Sequence, residues 1–135
     1  MRRALFLAVV VVCLATSPAM AQDPVKVDPK HHKIEFENAQ VRVLRVNIGP
    51  HEKTATHEHP NRVVVFLTDD NNLLTPVGGQ PQGGKQKRGD VTWVAGETHV
   101  VENMGDKPFE AVVVELKGKP AAAKPPAAKK QKKQM

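Results

Sequence analysis

Gly49-Pro-His-Glu-Lys-Thr-Ala-Thr-His57-Glu-His59-Pro-Asn-Arg62-Val-Val-Val-Phe-Leu-Thr68 is the stretch that decides how this chain folds. It opens on a Gly-Pro turn signal, carries a His-x-His pair, and closes on an apolar run of strand length. Side chains alternate across a strand with a period of two, so His57 and His59 share one face and Glu58 takes the other. Glu58 therefore reads as a solvated carboxylate. A third histidine, His99, stands further along the chain, and a neighbouring strand can bring it to the same face. Neutral imidazole is the commonest protein ligand for zinc, copper, iron and nickel.

Strand signals continue on both sides. Val41, Val43, Val46 and Ile48 alternate approximately with Arg42, Arg45 and Asn47. Val91 to Val94, Thr98 to Val101 and Phe109 to Leu116 are further β-rich runs. Between them fall Asp69-Asp-Asn-Asn72, Gly78-Gly79, Gly83-Gly84, Gly89-Asp90, Ala95-Gly96 and Gly105-Asp106, all turn formers. No stretch has helical period. Many short strands joined by Gly-rich turns predict an all-β antiparallel sandwich or barrel.

The chain has 135 residues, enough for one domain. Residues 1–21 read as a secretory signal peptide: a basic Met1-Arg2-Arg3 start, an apolar run from Ala4 to Ala15, and Ala19-Met20-Ala21 before Gln22. This predicts an exported protein, periplasmic or extracellular. The single cysteine, Cys13, lies in that segment, so the mature chain has neither a disulfide nor a thiol. Residues 22–33 form a polar lead-in whose His31-His32 pair could touch a metal but reads better as solvated. Residues 34–117 hold the barrel. Residues 118–135 are a Lys/Pro/Ala-rich tail with too few large apolar side chains to fold, and disorder is expected there. The formal charge of +6 belongs to the two ends. Residues 22–116 carry eleven Lys and Arg against fourteen Asp and Glu, so the folded part is mildly acidic. That balance and the scarcity of aromatic residues exclude a specific nucleic-acid surface. The tail can make weak electrostatic contact with an anionic cell envelope.

Two segments resemble the cupin family. Gly49 to Pro60, with its His57-Glu58-His59, is similar to the first cupin motif. Gly89-Asp-Val-Thr-Trp-Val-Ala-Gly96-Glu-Thr-His99-Val-Val-Glu-Asn103 is similar to the second. The Glu37 to Val46 start and the Val-Val-Glu-Leu-Lys end resemble short bacterial cupins of unassigned activity. The resemblance implies a small single-domain cupin, a double-stranded β-helix or jelly-roll barrel. The pattern departs in three places. Val63 stands where a ligating Glu is usual, the Gly49-to-His57 spacing is long, and Ala95 stands in the region of the usual Pro. The resemblance thus implies three metal ligands, His57, His59 and His99, for a divalent transition metal (Fe, Mn, Ni, Zn or Cu).

Three histidines leave coordination positions open, the pattern of a catalytic metal site. A metal-dependent oxygenase, isomerase or lyase acting on a small molecule in the barrel is one reading. A non-catalytic barrel that binds a small ligand or a metal is the alternative. His51 is a candidate fourth ligand or proton shuttle. Arg62 and Trp93 are candidate substrate contacts, although Trp93 and Phe66 also fit the core. Asn103 is a candidate to orient His99 or to hold the turn that follows it. No Ser or Cys nucleophile elbow is present, and Gly78 to Gly84 reads as a hairpin loop rather than a phosphate cradle. Sheet edges on a small barrel make a homodimer an expectation as well.

Overall fold

The computed structural model describes residues 22–118. The expected signal peptide, with Cys13, and the tail beyond Gly118 lie outside the described residues. A one-turn helix, α1 (Pro24–Val27), precedes β1 (His32–Glu37), β2 (Val41–Ile48), β3 (His57–His59), β4 (Arg62–Phe66), β5 (Asn72–Pro76), β6 (Gln82–Gly83), β7 (Val91–Val94), β8 (Glu97–Asn103) and β9 (Phe109–Leu116). They form a five-stranded sheet in the order β1-β2-β9-β4-β7 and a four-stranded sheet in the order β3-β8-β5-β6. Every strand pairing within them is antiparallel. Non-sequential neighbours such as β2 and β9 make this a jelly roll rather than a meander. The all-β double-stranded β-helix expected from the sequence is therefore the fold.

Period-two alternation sets what faces the interior. On β2, Leu44, Val46 and Ile48 point inward, so Val41 and Val43 lie on the outer face of the sheet. The long β2–β9 register sets Leu44 opposite Val113, Val46 opposite Ala111 and Ile48 opposite Phe109. The β4–β9 register adds Val64 and Phe66 to the same rows. Among the described residues these eight form the buried apolar core, and all come from three adjacent strands of one sheet. The other sheet contributes polar groups to the interior instead: His57, His59, Asn72, His99 and Asn103 are all buried. One inward row of the first sheet is charged as well, with Glu115 paired to Arg42 on one side and to Arg62 on the other.

Two expectations from the sequence need correction. Trp93 is not core: it sits opposite Val63 on the outward phase of β7 and is 59% exposed. It ends an outer row that runs through Val63, Val114, Val43 and Phe36 across all five strands. Nor is the lead-in solvated. Asp28, His31 and His32 are buried. The His31 ring lies between the carboxylates of Asp28, at 2.8 Å, and Glu52, at 3.0 Å. Asp23 pairs with Arg42 at 2.6 Å, and the Glu58 amide donates to the Gln22 carbonyl. These polar contacts fasten residues 22–32 to the barrel, and a hydropathy pattern does not register them.

Asn103 holds the turn after β8 rather than His99. Its Nδ2 donates to the carbonyls of Ile48, Gly49 and Lys107, and its Oδ1 accepts from the Gly105 amide. Asn103→Ala would strand the buried Ile48 carbonyl and remove a donor from the partly buried bonds to Gly49 and Lys107, costing about 2–4 kcal/mol. For a domain of this size that is a melting-temperature drop of roughly 10–25 °C, read by circular dichroism. A drop of only a degree or two would show that water replaces the side chain.

Candidate metal centre

The strands bring His57 and His99 face to face. β3 pairs with β8 so that His57 lies directly opposite His99 and His59 opposite Glu97. His57, His59 and His99 are 1%, 3% and 3% exposed. Their ring centroids lie 4.7 Å (His57–His99), 4.9 Å (His57–His59) and 5.4 Å (His59–His99) apart. The three histidines singled out in the sequence therefore share one inward face.

It is joined by a histidine the sequence reading set aside. His32, the first residue of β1, packs its ring 4.5 Å from that of His57 and 5.9 Å from that of His59. The nitrogens of His32, His57 and His59 lie within 4.8 Å of one another. His99 meets the group through His57, with the two Nε2 atoms 3.1 Å apart. Nothing local marks His32 for burial, since Lys30, His31 and Lys33 around it are all polar. The pairing of β1 with β2 and the polar fastening of the lead-in carry it inward.

Each ring presents its Nδ1 to an oxygen. His32 Nδ1 donates to the Asp28 carbonyl at 3.2 Å, and His57 Nδ1 to the Ala55 carbonyl at 2.8 Å. His59 Nδ1 faces Glu115 Oε1 at 2.5 Å, and His99 Nδ1 faces Glu97 Oε1 at 2.9 Å. A carbonyl or ionised carboxylate can only accept, so Nδ1 carries the proton in all four rings. All four Nε2 atoms are then bare lone pairs. Such outer hydrogen bonds fix the tautomer and orientation of metal-binding histidines.

The electrostatics keep the rings neutral. Burial is the largest influence on each and favours the uncharged form. It pushes His59 down to about 4 against the opposing pull of Glu115. His32 and His99 are also pushed to about 4, by burial and then by the repulsion that a protonated His57 beside them would exert. His57 is lowered by burial as well. Burial works against ionisation of Glu115, but hydrogen bonds from His59 and Arg42 outweigh it and hold its carboxyl below the usual range. Glu97 is held down in the same way by His99 and Arg62.

The remaining candidates sort by strand phase. Arg62 points inward, is 3% exposed, and bonds Glu97 at 2.8 Å and the Ala95 carbonyl at 3.2 Å. It lines the cavity, but its charge is already paired. Val63 lies on the outer face, so a carboxylate there would point away from the imidazoles. His51 is neither ligand nor proton shuttle here. It takes a left-handed backbone (φ 58°) in the Gly49–Glu52 turn, and its ring reaches out to Asp106 at the surface. Trp93, on the outer face, does not contact the cavity. Glu58 is exposed, as alternation requires. The histidines stand in the wall of a cavity of about 310 Å³ whose opposite lining includes Val46, Ile48, Phe66 and Phe109. That volume suits a small molecule.

No protein-family model and no curated protein matches the chain. Solved structures do. It is similar to a cupin domain from Bordetella pertussis Tohama I, at 28% identity over 64% of this chain and 92% of that one, with a TM-score of 0.60. It also resembles a conserved protein with a double-stranded β-helix domain from Klebsiella pneumoniae (22% identity, 63% of this chain and 74% of that one, TM-score 0.53). A cupin-family protein with a double-stranded β-helix fold from Methanocaldococcus jannaschii is similar at 17% identity, over 66% of this chain and 83% of that one, with a TM-score of 0.51.

Neutral buried histidines give the metal-free protein a defined acid sensitivity. Unfolded histidines titrate near 6.5, while His32, His59 and His99 titrate near 4 when folded. Between those values the unfolded chain binds more protons, so stability falls as pH falls from about 6.5 to about 4. The melting temperature of chelator-treated protein should drop across this window by on the order of 10 °C, and His59→Gln should flatten the slope. A flat profile from pH 7 to 4 would mean that the rings charge freely.

Proposed function

We propose that this chain, a small single-domain cupin, is an exported protein that holds a divalent transition metal on His57, His59, His32 and His99 and admits a small molecule beside it. One observation carries the reading. The Nε2 atoms of His57 and His99 face each other at 3.1 Å while both rings keep their protons on Nδ1. Two lone pairs at that distance repel unless a positive centre lies between them. Burial disfavours a shared proton, and a metal with nitrogens at about 2.0–2.1 Å would space two ligands roughly 2.9–3.4 Å apart. The donor set, four neutral imidazoles with oriented outer partners, fits zinc, copper, iron, nickel or manganese.

When bound, such a metal supplies Lewis acidity at the cavity wall. The chain's own groups set the conditions around it. Glu115 and Glu97 hold His59 and His99 in one tautomer. Arg62 neutralises Glu97. The apolar wall from Val46 to Phe109 faces the histidines across the cavity. A metal that takes six ligands keeps two positions free beyond four histidines, which suits an oxygenase, isomerase or lyase on a small molecule. A tetrahedral metal would be saturated, and the barrel would then be a non-catalytic metal or ligand binder. The completeness of the four-histidine set favours that second reading. The signal-like residues 1–21 support a periplasmic or extracellular location, and the lysine-rich tail supports weak contact with an anionic envelope. The exposed row from Trp93 to Phe36 is where we place pairing with a second copy.

Metal analysis of protein purified from its native compartment should find close to one transition metal per chain. His57→Ala should weaken metal binding by at least roughly tenfold, and His32→Ala should also lower occupancy. His51→Ala should leave it unchanged. Full metal content in the His57, His59 and His99 single variants would overturn the proposal.

A further inference from the structure

The end of the cavity remote from the histidines is also built from polar groups. The β5–β8 register sets Pro76 opposite His99 and Asn72 opposite Asn103. Asn72 is therefore four residues along the strand from the level of the histidines, about 13 Å at 3.3–3.4 Å per residue. Asn72 and the neighbouring Asp70 both line the cavity. Asn72 is 6% exposed, and its Oδ1 is buried with no hydrogen-bond partner. Its amide group turns toward the Asp70 carboxyl, and its backbone N–H donates to Asp70 Oδ1 at 3.1 Å.

Charge singles out Asp70. Four charged or titratable types line the cavity: the histidines, Arg62, Glu97 and Asp70. The histidines are neutral, and Arg62 and Glu97 pair with each other at 2.8 Å. Asp70 makes no ion pair among the described residues. Position 84 leaves room for it. A β-carbon on Gly84 would lie 2.2 Å from the Asp70 carboxyl carbon, so any side chain there would displace the carboxylate. Burial, the largest influence on Asp70, raises its pKa, and a cation arriving beside it would reverse that cost.

We propose that Asp70 and the unpartnered Asn72 Oδ1 form a specificity subsite for an ammonium group, so that the cavity selects a small molecule with a primary amine at one end and an oxygen donor at the other. The ammonium offers three N–H donors to the Asp70 carboxylate, which otherwise accepts only from Asn72, and to Asn72 Oδ1, which has no partner. Its charge meets the one unpaired charge of the cavity lining. The oxygen donor at the other end would lie toward the histidines, and that half of the inference rests on the metal reading above. The two ends are separated by on the order of 10 Å, set by the strand rise between Asn72 and the level of His99.

The test uses three probes on the full mature chain: 6-aminohexanoate, hexanoate and hexylamine, titrated calorimetrically into metal-loaded and metal-free protein. Wild type should bind 6-aminohexanoate at least tenfold more tightly than hexanoate. Asp70→Asn, which keeps the shape and removes the charge, should abolish that preference and leave the metal content unchanged. Hexylamine binding to metal-free protein should depend on Asp70 in the same way, so the subsite stands even if the metal reading fails. If wild type shows no preference for the amine, or if the preference survives in Asp70→Asn, the subsite is overturned. Normal amine selectivity in a protein that never takes up metal would overturn the metal reading alone.

Discussion

An unprotonated imidazole nitrogen facing another across 3.1 Å is a repulsive contact unless something positive lies between them. The rest of the interior is arranged to produce and hold that contact. Each ring is fixed from behind by an oxygen on a different part of the chain: Asp28 for His32, Ala55 for His57, Glu115 for His59 and Glu97 for His99. Losing any one anchor would let its ring rotate or change tautomer. Glu115 has the most to do, because it also takes Arg42 Nε at 2.6 Å and so ties the centre of the five-stranded sheet to the site. Buried ion pairs of this kind contribute little net stability, but removing one partner leaves a bare charge and is costly. Their retention here is explained by the orientation they impose.

The barrel divides its interior by sheet. Three strands of one sheet supply the apolar core, and the other sheet supplies the polar wall. Eight buried apolar residues are a modest core for a barrel with several buried polar groups. A ligand that binds only the folded state adds stability through mass action, about 4 kcal/mol at a thousandfold excess over its dissociation constant. Metal binding would thus support the fold as well as the function. The lead-in takes part too, because its fastening by Asp23, Asp28 and His31 places His32 on the wall.

Much of this was legible in the sequence. His57-Glu58-His59 on a strand, with His99 on a partner, requires only alternation and antiparallel pairing, and both hold. Strand runs and turn residues led to an antiparallel sandwich or barrel, and the resemblance of the two histidine segments narrowed it to the jelly roll. The misses share one cause, which is that periodicity gives the alternation of a strand but not its phase or its partners. Trp93 belongs to a β-rich run, yet its register with Val63 turns it outward. His32 sits in a polar neighbourhood, and only tertiary pairing buries it. Glu115 interrupts an apolar run, and nothing within that run marks it as an inward residue. The Arg42 and His59 side chains that make it an inward one are 73 and 56 positions away. His51 looked like a ligand by proximity along the chain, but the left-handed turn it adopts points it to solvent.

The central claim is that a metal lies among the four Nε2 atoms. Anomalous diffraction from crystals of natively purified protein, recorded on both sides of the absorption edge of the metal found in it, tests this most directly. The account predicts one strong peak inside the barrel, about 2.0–2.3 Å from Nε2 of His57, His99, His59 and His32. A barrel with no anomalous peak, in which the His57 and His99 rings have turned so that an N–H of one donates to the other, would contradict it.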